Sequence, residues 1–245
     1  MKLSTKGLVI WEVRSGEADR VITILTPSGI ITAYARNSLR PNNKLTSATS
    51  LFTYSDFELY EGKNMYNVDD AMPLSMFHDI TFDVFDYALS VYLAELTKNF
   101  APVEDDSVSF LSLFLNTLYL LNEQKYPKEH IKAVFEMKIS CLAGYMPELY
   151  SCGICGSHVN GDCFFDIMNG GVRCVRCTPN ISYEVEACPA GTLKALRYIA
   201  ENIPSKCFSF SLGELSFLSR ICEKFVAERL DRKSNTLEYY KSLFI

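Results

Sequence analysis

The residues best spaced for chemistry are four cysteines. Ser151-Cys152-Gly153-Ile154-Cys155-Gly156 is followed by Gly170-Gly171-Val172-Arg173-Cys174-Val175-Arg176-Cys177, which is C-x2-C-x18-C-x2-C. Two cysteines separated by two residues can place both sulfurs on one ion at about 2.3 Å, and this spacing falls in the four-cysteine zinc window. The glycine after Cys155 permits the tight turn of a metal knuckle. Cys163-Phe164-Phe165-Asp166 and Gly171-Val172-Arg173 flank Asn169-Gly170, a hairpin signal. The expected unit is therefore a zinc ribbon over about residues 149–180, with Cys152, Cys155, Cys174 and Cys177 as ligands to one structural Zn2+. Four thiolates leave no open position for a reacting water. A thioredoxin-like redox pair would need one C-x2-C at a helix start, not two flanking a hairpin. His158 and Cys163 are weaker alternative ligands. Cys141, Cys188, Cys207 and Cys222 fall in or near helices and read as small core residues.

Other catalytic patterns are missing. His78, His130 and His158 begin neither H-E-x-x-H nor the H-x-E of a zinc deaminase, and there is no G-x-S-x-G, Walker A loop or G-x-G-x-x-G. Asp69-Asp70 and Glu104-Asp105-Asp106 are carboxylate runs, but the second precedes a helix and meets its positive end. The sequence reads as non-enzymatic.

The elements that must position these residues fall into two kinds. Five β-rich runs occupy the first 80 residues: about Thr5 to Val13, Ala18 to Thr26, Ile30 to Asn37, Ser50 to Tyr60 and Lys63 to Val68. Ser15-Gly16, Pro27-Ser28-Gly29, Arg40 to Lys44 and Glu61 to Asn64 supply the turns. In the third run Ile31, Ala33 and Ala35 share one face while Thr32, Tyr34 and Arg36 share the other. This pattern suits a five-stranded OB barrel, with an SH3-like barrel as alternative.

From Phe82 the period becomes helical, with Phe82, Phe85, Leu89, Tyr92, Leu93 and Leu96 as one stripe. Asp106 or Ser107 is placed to cap an apolar helix to about Leu121, read as central in a bundle. Another helix runs from Lys128 to Leu142 and stops at Gly144. Helices resume over Pro189 to Asn202, after a capping box at Ser211 to Glu214, and near Leu237 to Phe244. The fold class is α+β multidomain. It comprises an N-terminal OB barrel, residues 1–80, and a C-terminal helical bundle, residues 81–245, carrying the ribbon.

Composition bounds the compartment and the partner. With 48% hydrophobic and 22% charged residues the chain can bury a core. The apolar stretch Gly7 to Trp11 is too short for a signal peptide, and the uncharged run Ser107 to Asn122 is below the roughly 20 residues of a membrane span. A reducing cytoplasm, where clustered cysteines hold metal, is expected. The net charge of −5 excludes a bulk-basic nucleic-acid coat. The total nevertheless hides an asymmetry. Residues 1–50 hold seven basic against three acidic residues, a net +4, and the remaining 195 carry 17 against 26, a net −9. Basic charge thus concentrates in the first 50 residues, where the first three strands of the barrel are expected. Single strands are bound by a positive groove with aromatic platforms, and Trp11, Tyr34, Phe52 and Tyr54 are available. The candidate DNA contacts are Lys6, Arg14, Arg20, Arg36, Arg40 and Lys44, with Arg36 on the polar face and Arg40 in the loop after it.

A run of ordered motifs resembles the RecO family of DNA repair and recombination mediators. It comprises Gly16-Glu17-Ala18-Asp19-Arg20, Leu25-Thr26-Pro27-Ser28-Gly29 and Ala35-Arg36 with Arg40. Phe135-Glu136-Met137-Lys138, Gly144-Tyr145-Met146-Pro147-Glu148-Leu149 and Cys152-Gly153-Ile154-Cys155 follow, then Phe165-Asp166, Gly170-Gly171 and the second cysteine pair. Where the family usually has glycine this chain has Asn37, which tolerates the left-handed conformation, and Leu39 stands where a basic residue is common. The resemblance implies an OB barrel followed by a helical domain with a structural metal. It implies no substrate turnover. It also implies binding of single- and double-stranded DNA, annealing of complementary strands, and engagement of RecR and of the acidic tail of the single-stranded-DNA-binding protein. RecA is thereby loaded onto coated strands, in the bacterial cytoplasm and at the nucleoid during repair. No motif places the tail site residue by residue. A second function class is a zinc-ribbon protein-interaction adaptor without direct DNA binding, and a third is a thiol oxidoreductase. DNA binding and metal content separate the three.

Overall fold

The computed structural model describes residues 2–103, 105–178, 185–230 and 233–244. Glu104 of the second carboxylate run and residues 179–180 at the end of the expected ribbon lie outside them. The chain forms two compact units, residues 1–123 and 124–245.

In the first unit, β1 (Lys2–Ser15), β2 (Asp19–Thr26), β3 (Gly29–Ala35), β4 (Thr53–Glu61) and β5 (Tyr66–Met76) close a barrel in the order β1-β2-β3-β5-β4. This is the five-stranded OB-like architecture read from the alternation. β1 is long because it serves two neighbours. Its first half pairs with β4 and its second with β2, and a register shift between Val9 and Trp11 turns it from one to the other. Closure rests on a short parallel pairing, Ala33 to Tyr66 and Tyr34 to Asn67. Ile22, Ile24, Ala33, Ala35, Phe57 and Leu59 fill the interior.

Several boundaries differ from the sequence reading. β5 runs to Met76 instead of Val68, because its pairing with β4 is interrupted at Glu58/Leu59 and Tyr54/Ser55, which erases the alternation. The helix α1 (Leu45–Ala48) is one turn, too short for periodicity to reveal, yet its Leu45 and Ala48 enter the barrel core. Phe52 lies outside β4 in a turn at φ +60°, fully buried, with edge contacts to Tyr87 and Phe114.

Those two rings belong to α2 (Val84–Phe100) and α3 (Val108–Asn122). Phe82 is not on the stripe of α2. It ends a 3-10 turn, His78–Phe82, and is 83% exposed, because Asp83 starts the helix by accepting the N–H groups of Phe85 and Asp86, each at 2.9 Å. The first turn of α3 is met by Asp106, which accepts the Val108 N–H at 3.0 Å. α3 is not enclosed on all sides: Phe110, Leu113, Phe114 and Leu118 are buried, whereas Val108 and Tyr119 are exposed.

The second unit opens with α4 (Lys128–Leu142), ended as expected by Gly144 at φ +93°. Then come β6 (Glu148–Cys152), β7 (Cys163–Asp166), β8 (Gly171–Cys174) and β9 (Val185–Cys188), forming one sheet in the order β6-β8-β7-β9. α5 (Ala190–Glu201), α6 (Ser216–Ala227) and α7 (Asn235–Ser242) complete it. The capping box expected at Ser211 does not form. α6 begins at Ser216, whose hydroxyl donates to Glu214 at 2.8 Å and occupies that carboxylate. α4 is buried along almost its full length, and its Lys132 is charged there because Glu136 and Glu223 each lie 2.7 Å from Nζ. Among the described residues no helix is long and apolar enough to cross a membrane.

Phe52 anchors α2 and α3 to the barrel turn, so Phe52→Ala is expected to cost about 3–5 kcal/mol, a cavity-forming loss. Chemical denaturation of the two proteins measures it.

Candidate metal centre and nucleic-acid interface

The two cysteine pairs are delivered by two strand ends. Cys152 closes β6 and Cys174 closes β8, and Gly153 N–H donates to Val172 O at 3.0 Å to dock the first knuckle on the second strand. Each knuckle is a backbone turn: Gly156 N–H to Cys152 O at 2.8 Å, with Gly156 at φ +70°, and Cys177 N–H to Cys174 O at 3.0 Å. The four Sγ atoms all lie within 4.8 Å of one another, and Cys155 to Cys174 is 3.8 Å. A tetrahedral ion with bonds of about 2.3 Å has sulfur–sulfur edges of about 3.8 Å, so the donor set and its spacing fit such an ion.

The electrostatics favour a cation. Burial pushes the Cys152 thiol up, but N–H groups of Cys155, Cys174 and Ile154 outweigh it and bring it down to about 6. The Cys174 N–H reaches Cys152 Sγ at 3.4 Å. Cys177, by contrast, is pushed up to about 12 by hydrogen bonds that share its proton with Cys174 and Cys155. A bound divalent ion would displace that proton.

Behind the knuckles lies a pair that motif reading missed. Asp166 and Arg173 are diagonal neighbours on one face of the β7–β8 hairpin, with Asp166 Oδ2 2.6 Å from Arg173 Nη2 and 3.0 Å from Nε, both residues buried. Asp166 also accepts the Asn169 N–H at 2.9 Å and so fixes the hairpin turn. The guanidinium lies against the first knuckle: a Cβ at Gly153 would come within 2.5 Å of Arg173 Nη1. The available signal was an acid at the end of one strand and a base on the same face of the next. Arg197, likewise unread, carries α5 to this sheet by donating to Leu149 O at 2.7 Å and Val159 O at 2.5 Å. Of the alternative ligands, Cys163 points its thiol to Cys188 O at 3.5 Å, and His158 stacks on Tyr150. Neither joins the four-sulfur cluster. Cys141, Cys188, Cys207 and Cys222 are all buried.

On the barrel the six basic candidates separate by environment. Arg14, at the end of β1, Arg36, directly after β3, and Arg40, in the loop beyond, are exposed and make no side-chain hydrogen bond or ion pair among the described residues. They gather at one end of the barrel. Arg14 pairs in register with Arg20, Arg20 pairs with Ala35, and the charges of Arg36 and Arg40 both act on Asp19. Arg20 itself is turned inward, with a side chain only 11% exposed. It pairs with Glu12 at 3.5 Å and donates to Thr46 O at 2.9 Å and to Thr49 and Ser50 hydroxyls. Lys44 is exposed but paired with Asp70 at 2.7 Å, which holds that carboxyl below its usual range. Lys6 is exposed opposite Asp56, eight residues down β1 from Arg14 and so on the order of 26 Å away along the strand.

The aromatic candidates separate too. Phe52 is core. Trp11 is half-buried beneath Lys98, at 5.2 Å from its ring, beside a cavity of about 360 Å³. Tyr34 stands half-buried beside Arg36 on the outer face of β3, its hydroxyl donating to Asp19. Burial raises the Tyr54 hydroxyl.

Three outcomes follow for the metal centre and the Asp166–Arg173 pair behind it. Purified protein is expected to carry about one metal ion per chain by elemental analysis, lost on Cys152→Ser or Cys177→Ser. Because protons compete for the thiolates, metal retention against a chelator weakens as pH falls. Arg173→Ala strands the buried Asp166 carboxylate and is expected to cost about 3–5 kcal/mol in equilibrium unfolding.

The geometry can be set beside known proteins. The family "Recombination protein O N terminal" matches residues 1–77, and "Recombination protein O C terminal" matches residues 81–238. The DNA repair protein RecO of Acetivibrio thermocellus is 34% identical, covering 98% of this chain and 97% of that protein. Those of Alkaliphilus metalliredigens and Dehalococcoides mccartyi are 26% and 30% identical, covering 99% and 92% of this chain and 100% and 90% of theirs. A match across both halves at this identity, joined to the barrel and the four-cysteine sheet, places the chain in the RecO family of DNA repair proteins.

Proposed function

We propose that this protein is a non-enzymatic mediator of recombinational DNA repair that binds single- and double-stranded DNA through its barrel. Residues 1–80 act as the DNA-binding domain. Residues 81–245 serve as the helical domain that meets RecR and the acidic tail of the single-stranded-DNA-binding protein. In this reading the protein anneals complementary strands and helps load RecA onto coated strands, in the bacterial cytoplasm at the nucleoid. The observation that carries it is the gathering of exposed Arg14, Arg36 and Arg40 at one barrel end, in a chain of net charge −5. Guanidinium groups held there can each meet a phosphate without base information. Tyr34 beside them offers a ring face for stacking. Lys6, far down β1, and Lys44, paired with Asp70, stand apart from this cluster, while Arg20 holds the strand ends.

The metal in this reading is one structural Zn2+ held by Cys152, Cys155, Cys174 and Cys177. When bound, it cross-links the ends of β6 and β8 and offers no open site for chemistry. A second reading, an adaptor that binds protein without DNA, draws on exposed Ile154 and Val175, the central residues of the two knuckles, at 52% and 56% exposure.

Phosphate neutralisation releases counterions, so affinity for a single strand is expected to fall steeply with rising salt. Fluorescence anisotropy across a salt series measures it; no detectable binding even at low salt favours the adaptor. Arg36→Ala with Arg40→Ala is expected to weaken binding about equally for all sequences, and unchanged affinity removes this pair from the interface.

A further inference from the structure

An acidic residue sits among the exposed arginines, and its bonding is out of keeping with a bystander. Asp19 begins β2 at the same barrel end as Arg14, Arg36 and Arg40. One carboxylate oxygen, Oδ2, accepts the Tyr34 hydroxyl, and the other, Oδ1, accepts the Asn37 N–H at 2.5 Å. Those hydrogen bonds, Tyr34 first, hold its carboxyl below the usual range. Asn37 is at φ +55°, the left-handed turn that takes the chain off β3 between Arg36 and Arg40. Further bonds continue the lashing: Leu39 N–H donates to Ala18 O at 2.8 Å, Ser38 Oγ to Ala35 O at 2.9 Å, and Arg40 N–H to Asn37 O at 3.0 Å. The loop bearing both arginines is thus tied to the start of β2 at a carboxylate.

Two effects of that carboxylate oppose each other. Its negative charge stands close enough to Arg36 and Arg40 to feel theirs, and so repels a strand that meets them. Its hydrogen bonds fix where those groups stand before the strand arrives, which lowers the ordering cost of binding. Asn37 tolerates the left-handed turn, and Asp19, by accepting its N–H, fixes where that turn stands relative to β2.

We infer that Asp19 is a positioning residue for DNA binding, whose bracing of Tyr34 and Asn37 outweighs its repulsion of phosphate. The inference rests on the DNA-binding reading above. It inverts the simple charge expectation, in which removing an acid from a basic patch tightens binding.

The test is anisotropy with a fluorescent oligothymidylate across a salt series, on full-length wild type, Asp19→Ala, Asp19→Asn and Tyr34→Phe, with thermal melts of each. Asp19→Ala is expected to bind about tenfold more weakly, with a salt slope lower by about 1 because Arg36 and Arg40 no longer engage together. Asp19→Asn keeps an acceptor for the Asn37 N–H without the charge, and is expected to bind at least as tightly as wild type. Tyr34→Phe leaves both ring and net charge in place, yet is expected to bind about threefold more weakly. Loss of folding alone would appear in the melts and would not be rescued selectively by Asp19→Asn. Tighter or unchanged binding by Asp19→Ala, with wild type binding, overturns the inference and leaves the DNA reading standing. Wild type without affinity at low salt refutes the DNA reading, and the inference with it.

Discussion

Closing a five-stranded barrel leaves β3 very little room. Its pairing with β5 spans Ala33 and Tyr34 only, and the core-facing positions at this end of the strand are the small Ala33 and Ala35. After Ala35 the chain leaves the sheet. It does so through Asn37 in a left-handed turn, and the residues on either side of that turn are Arg36 and Arg40. The positive end of the barrel is therefore a consequence of where the sheet stops. Arg20, one strand away, converts its charge into structure by tying β2 to α1 and to the turn that precedes β4, while Arg14 and Arg36 keep theirs outside.

The second unit solves a comparable problem with a different device. Its sheet is small, and β6, β7, β8 and β9 are each four or five residues long. Strands this short bury little apolar surface, so polar ties carry much of the geometry. Asp166 and Arg173 brace the hairpin, Glu186 of β9 pairs with Arg220 and Lys224 of α6, and Arg197 spans from α5 to two carbonyls. Phe165 meets Phe225 of α6 edge-on at 5.4 Å and supplies the apolar part. The four sulfurs sit at the strand ends, where an ion joining them would add the strongest tie of all.

Much of this was legible in the sequence where the signal is local. Alternation gave the five strands, and the x2-x18-x2 spacing gave the four cysteines, because ligand geometry of this kind is set by tight turns. α4 from Lys128 to Leu142 was legible from end to end, since a glycine stop and a long apolar period agree. What was illegible depends on distant partners. The extension of β5 was hidden by breaks in its register, and α1 by its length. Arg20 and Arg36 are the same residue type on neighbouring strands, and only three-dimensional packing separates the buried guanidinium from the exposed one. Asp19 reads as lost positive charge, since its two acceptors' partners lie 15 and 18 residues away.

Photo-cross-linking places a strand on the surface without altering the protein. A single strand carrying 5-iododeoxyuridine, irradiated with the purified full-length chain, is mapped by mass spectrometry of the cross-linked peptides. Cross-links are expected in peptides spanning residues 14–20 and 32–44, with Tyr34 among the modified residues. Cross-links confined to residues 124–245, or their absence at low salt, would contradict a DNA interface at the barrel end.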